Sequence, residues 1–90
     1  MLHSTQIEID KIIENFKSAV KHHRNREGED TKIEVKVEYD DKTKTGLVIF
    51  ITPLKGLNLA SKGITEVEEK DLPEFVENVL MKEVLPEIPK

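Results

Sequence analysis

Lys32-Ile33-Glu34-Val35-Lys36-Val37-Glu38-Tyr39, followed after Asp40-Asp41-Lys42-Thr43 by Leu47-Val48-Ile49-Phe50-Ile51, is the stretch on which the fold turns. The first segment alternates strictly, so a strand there puts Ile33, Val35, Val37 and Tyr39 on one face and charges on the other. The second segment is apolar at every position until Thr52-Pro53, the pattern of a strand that is dry on both sides. Asp40 to Thr43 has the composition of a turn, and the two strands read as a hairpin.

Upstream, Thr5-Gln6-Ile7-Glu8 has the spacing of a capping box that opens a helix. At about 100° per residue, Ile9, Ile12, Ile13, Phe16, Ala19, Val20 and His23 fall within about a third of the circumference, which predicts a core-facing helix. The cations of His22 to Arg26 suit the negative helix end, and Gly28 is the expected stop. Downstream, Gly56 and Gly63 punctuate residues 54 to 70, where a third short strand is expected near 57 to 61. Asp71-Leu72-Pro73-Glu74 opens a second helix with an inner stripe of Leu72, Phe75, Val76, Val79 and Leu80, closed by Pro86. The order α-β-β-β-α predicts an α+β two-layer sandwich in which two helices cover one face of an antiparallel sheet. Ninety residues bury roughly two thirds of their extended surface, so a single domain over 1–90 is expected.

Composition narrows the chemistry. The chain has no Cys, so disulfides, thiolate nucleophiles and Cys-type metal sites are excluded. Met1 to Gln6 lacks the features of a signal peptide and no apolar run approaches the roughly 20 residues of a membrane span, so a cytoplasmic protein without membrane contact is expected. The net charge of −4 argues against a domain-wide nucleic-acid surface. Charge is also segregated. Lys11, Lys17, Lys21, Arg24 and Arg26 dominate the first 26 residues, whereas Glu66, Glu68, Glu69, Asp71, Glu74, Glu77, Glu83 and Glu87 crowd the C-terminal part, so the two ends are expected side by side.

The mismatch between the hairpin strands is the main functional signal. If Leu47, Ile49 and Ile51 join Ile33, Val35 and Val37 under the helices, Val48 and Phe50 face outward and need a cover. That cover is either a partner, such as a second copy, or residues 54 to 65 or the C-terminal tail. A second candidate patch is Met81, Leu85 and Ile88, set against the alternative that these residues cap the core at a fraying helix end.

Lys17, Lys21 and Arg24 follow at i, i+4 and i+7 and offer either an anion-binding edge or a solvated flank that answers the acidic second helix. Glu83 and His23 lie in or beside inner stripes, as a proton-transfer pair or as residues reaching water at the core's rim. Metal ligation is not expected, since the adjacent His22 and His23 diverge by about 100° on a helix and Asp40-Asp41 marks a turn. No cofactor is implied.

These readings lead to a non-catalytic protein-interaction module, an adaptor, regulator or small inhibitor, self-associating through the sheet or the last helix. The alternatives are a nucleic-acid- or ribosome-associated protein, an acidic mimic of nucleic acid, and, last, an enzyme using Glu83 and His23.

Overall fold

The computed structural model describes residues 1–25, 32–52 and 61–88. Strand β1 (Glu34–Asp40) and strand β2 (Thr45–Thr52) pair antiparallel across a four-residue turn. Asp40 organises that turn twice: its carboxylate accepts from the Lys42 amide and its carbonyl from the Lys44 amide, both at 2.8 Å. Lys44 closes it in the left-handed region at φ 60°.

An even number of loop residues sets the parity of the ladder. Val37 stands opposite Val48, Val35 opposite Phe50 and Tyr39 opposite Gly46. Paired residues share a face, so the inward row of β1 draws Val48 and Phe50 inward. Gly46 is required at its position, because a Cβ there would run into the Glu38 carbonyl oxygen and stand 2.9 Å from the Tyr39 Cα. Strand β3 (Ser61–Thr65) pairs antiparallel with the other edge of β2, giving the order β1-β2-β3. Of the third strand expected near 57 to 61, all but Ser61 lies outside the described residues.

Helix α1 (His3–Arg24) buries Ile9, Ile13, Phe16 and Val20. It begins two residues before Thr5, and Leu2, its N-cap, contributes no side-chain cap. The Thr5 hydroxyl instead donates to Glu69 Oε2 at 3.2 Å, beside the Leu2 amide at 2.9 Å on the same oxygen. The expected capping box is thus replaced by a clasp to the start of the C-terminal helix. Asn25, at φ 54° and ψ 41°, ends α1 in the left-handed conformation, its amide donating to the Lys21 and His22 carbonyls. Gly28, the expected stop, is outside the described residues.

A 3₁₀ turn at Glu69–Asp71 leads into α2 (Leu72–Asn78), which continues as a π-helical turn over Val79–Val84 and a final 3₁₀ turn at Leu85–Glu87. Glu69 meets the beginning of α1, and the Ile88 carbonyl meets His23 at its end, so the two helical segments run parallel. The π turn changes which residues face inward. Its i→i+5 bonds stack residues five apart, and Val79 and Val84 are both buried while Glu83 is exposed.

The buried residues of both helical segments and of the inner sheet face form one cluster, an α+β arrangement with α-β-β-β-α order. Among the described residues no helix is long and apolar enough to cross a membrane.

Candidate interaction surface

The structure corrects the expectation for Val48 and Phe50. Their relative exposures are 0% and 4%, and both belong to the same core cluster as the helices of their own chain. The reason is the turn: with four residues in the loop, odd positions of β1 pair with even positions of β2. The surplus of apolar side chains on β2 therefore points the other way. Leu47 is 41% exposed, Ile51 is 60% exposed, and Ile49 is half-buried between them.

The neighbours of this row are asymmetric. On the β1 side Lys36 stands opposite Ile49 and Glu38 opposite Leu47, with a 3.5 Å ion pair between the two charges. On the β3 side the opposing residues are Ser61 and Gly63, and a Cβ built on Gly63 meets nothing within 4 Å. Small residues thus leave open space beside Leu47. At the far end a bulge interrupts the ladder: Glu34 pairs with Thr52 and Val35 with Phe50, so Ile51 has no opposite residue on β1. As for the cover expected from residues 54 to 65, Ser61–Thr65 lies beside β2 as its neighbour in the sheet.

The other proposed patch is not a separate surface. Ile88 is 2% exposed within the core, and Met81 and Leu85 are half-buried against it, so the end of the last helix caps the core as the alternative reading held. The Glu83 and His23 pair does not form. Glu83 is exposed, while the His23 Nε2–H donates to the Ile88 carbonyl at 2.6 Å and pins the C-terminal segment to α1.

The cationic edge of α1 faces the sheet, not the acidic helix: Lys17 Nζ lies 3.3 Å from Glu34 of β1 and 3.6 Å from Glu14. The acidic residues Glu66, Glu68, Asp71 and Glu74, with Val67, Phe75 and Asn78, line a shallow hollow of about 280 Å³ between β3 and α2.

That hollow adjoins the hairpin turn. Lys44 reaches Glu68 at 3.0 Å, and this hydrogen bond and its charge attraction raise the Lys44 pKa above its ordinary value. The Tyr39 hydroxyl donates to the Val67 carbonyl at 2.5 Å, and the Val67 amide donates to the Lys44 carbonyl at 3.2 Å. Desolvation raises the Tyr39 pKa, aided by Glu68, Glu69 and Asp41 and opposed by Lys44. Glu66, with φ 56°, makes the bend out of β3 that brings Val67 there. Among the described residues no group of three or more His, Asp or Glu side chains is placed to hold a metal ion.

No protein-family model, curated protein or solved structure matches this chain.

Proposed function

We propose that the chain is a non-catalytic interaction module that docks a second copy of itself on the outer face of its sheet, with Leu47, Ile49 and Ile51 at the centre of the contact. The observation that carries this reading is the row of three large apolar side chains on the solvent side of the central strand. Apolar surface gains roughly 25 cal/mol per Å² when removed from water, and sheets stack face to face at about 10 Å with interdigitated side chains. The space beside Gly63 offers room for such interdigitation.

A second copy is favoured over an unrelated partner by the charges that border the row. Along β1 the outward residues beside the row are Lys36 and Glu38, of opposite charge, while Glu34, beyond the bulge, turns to Lys17 of α1. A two-fold axis requires a surface to complement itself, and this pair does so, since reversing it sets Lys36 of one copy against Glu38 of the other.

Light scattering over a concentration series tests the reading. The wild type should approach twice its monomer mass, and Ile49→Asp should remain monomeric with an unchanged circular dichroism spectrum. A wild type that stays monomeric into the millimolar range overturns self-association.

A further inference from the structure

A second feature, independent of the sheet face, lies between α1 and the start of β1. Lys17, Lys21, Lys32, Ile33 and Glu34 line a cleft of about 320 Å³, at the lower end of the range of small-molecule pockets. Lys17, Lys21 and Arg24 occupy about 60° of the α1 circumference, and Arg24 is the member nearest the buried stripe. Arg24 is 7% exposed and does not line the cleft, and among the described residues neither its Nε nor its Nη1 has a hydrogen-bond acceptor. A guanidinium stays charged at any pH that the fold survives, and burying it without a partner is costly. Lys21, one turn earlier, is exposed and makes no ion pair with the described residues.

We infer that this cleft, walled by Lys17, Lys21 and Lys32, binds the phosphate group of a small phosphorylated ligand. A phosphate monoester carries about −1.5 to −2 at pH 7 and offers three acceptor oxygens, which suits several converging cations better than a single carboxylate does. Lysine acts as a mobile point charge that follows those oxygens, and the buried Arg24 guanidinium adds positive charge without touching the ligand.

A nucleic-acid strand fits less well. Glu14 and Glu34 interrupt the cationic row at Lys17, and the chain as a whole carries −4, so an extended polyanion would meet repulsion beyond the cleft. Glu34 can instead accept a hydrogen bond from a hydroxyl of a sugar phosphate.

Thermal unfolding and NMR titration test the site, with inorganic phosphate, sodium chloride at equal ionic strength, ribose 5-phosphate and a single-stranded oligonucleotide as probes. Phosphate, unlike chloride, should raise the Tm of the wild type, and ribose 5-phosphate should bind about tenfold more tightly than inorganic phosphate. Lys21→Glu, at an exposed position, should keep the fold and lose both responses. Arg24→Met should raise the Tm in chloride, by removing a buried charge, and should weaken the phosphate response without abolishing it. Equal responses to phosphate and chloride, or a Lys21→Glu protein that responds like the wild type, would overturn the assignment. Tighter binding of the oligonucleotide than of ribose 5-phosphate, with a steep salt dependence, would overturn the small ligand in favour of nucleic acid.

Discussion

The two faces of β2 carry the same kinds of side chain and meet opposite fates. Val48 and Phe50 are enclosed by the helices, whereas Leu47 and Ile51, one position away, are largely open. Hydrophobicity alone does not separate them, since a leucine and two isoleucines face outward while a valine and a phenylalanine face inward. What separates them is the parity of a four-residue turn and a glycine at 46 that lets Tyr39 cross. In a strand apolar on both sides, burial is assigned by the partner strand, and the partner here has one ionic face.

The contrast can be broken hardest at Val48. An aspartate there would bury a carboxylate among apolar groups with no partner, and Val48→Asp should lose on the order of 4 kcal/mol or more, enough to unfold a domain of ordinary stability. Urea denaturation followed by circular dichroism measures it, and a folded Val48→Asp protein would mean that the inner and outer faces have been exchanged. Deleting Lys42 tests the cause directly. A turn that keeps four residues must then take in Thr45, which slips the β2 register by one residue and drives the Leu47, Ile49, Ile51 row inward, so the deletion should cost more stability than any substitution in the turn.

Gly46→Ala comes next, at about 1 to 3 kcal/mol, because the added methyl meets backbone that cannot move aside without disturbing the β1 ladder. Chemical denaturation of this variant beside Gly63→Ala sharpens the comparison: Gly63 faces open space, and its alanine variant should be close to neutral.

A smaller effect is expected at high pH. The folded-state pKa values of Tyr39 and Lys44 lie above the unfolded values of 10.0 and 10.5, so the folded state holds protons that the unfolded chain releases. That stabilisation is complete below about pH 10 and is lost as pH rises through the folded pKa values. Tyr39 is the only tyrosine, so its phenolate absorbance reports the titration without ambiguity, and Tyr39→Phe should weaken the alkaline decline. The smallest effect belongs to Ile51→Ser, which should change monomer stability by about 0.5 kcal/mol or less while weakening self-association.

Much of the fold was legible along the chain because it rests on local periodicity. The α1 stripe of Ile9, Ile13, Phe16 and Val20, the alternation in β1, and the Leu72, Val76, Val79, Leu80 stripe each follow from spacing alone. The last helix departed where its geometry did: a π turn is not written in a 3.6-residue pattern, so Glu83 looked inward. Thr5 and Glu8 met the spacing rule for a cap, yet Thr5 was captured by Glu69 from 64 residues away.

The candidate surface was half legible. The excess of apolar residues on β2 was plain; the face that carries it was not. Gly46 was the available clue, since a glycine beside the turn marks where a partner backbone approaches closely. The anion-binding row was visible as i, i+4, i+7, but the burial of Arg24 within that row was not.

By itself, the amino-acid order determined the elements, their sequence along the chain and the presence of more apolar strand surface than two helices on one side can cover. Those properties depend on residues within a turn or two of each other. Tertiary structure alone decided which side of β2 is covered, the parallel run of the helical segments, and the placing of Arg24 at the edge of the core. Each of these is a relation between segments distant along the chain, where a one-residue shift in register reverses a face without altering any local pattern.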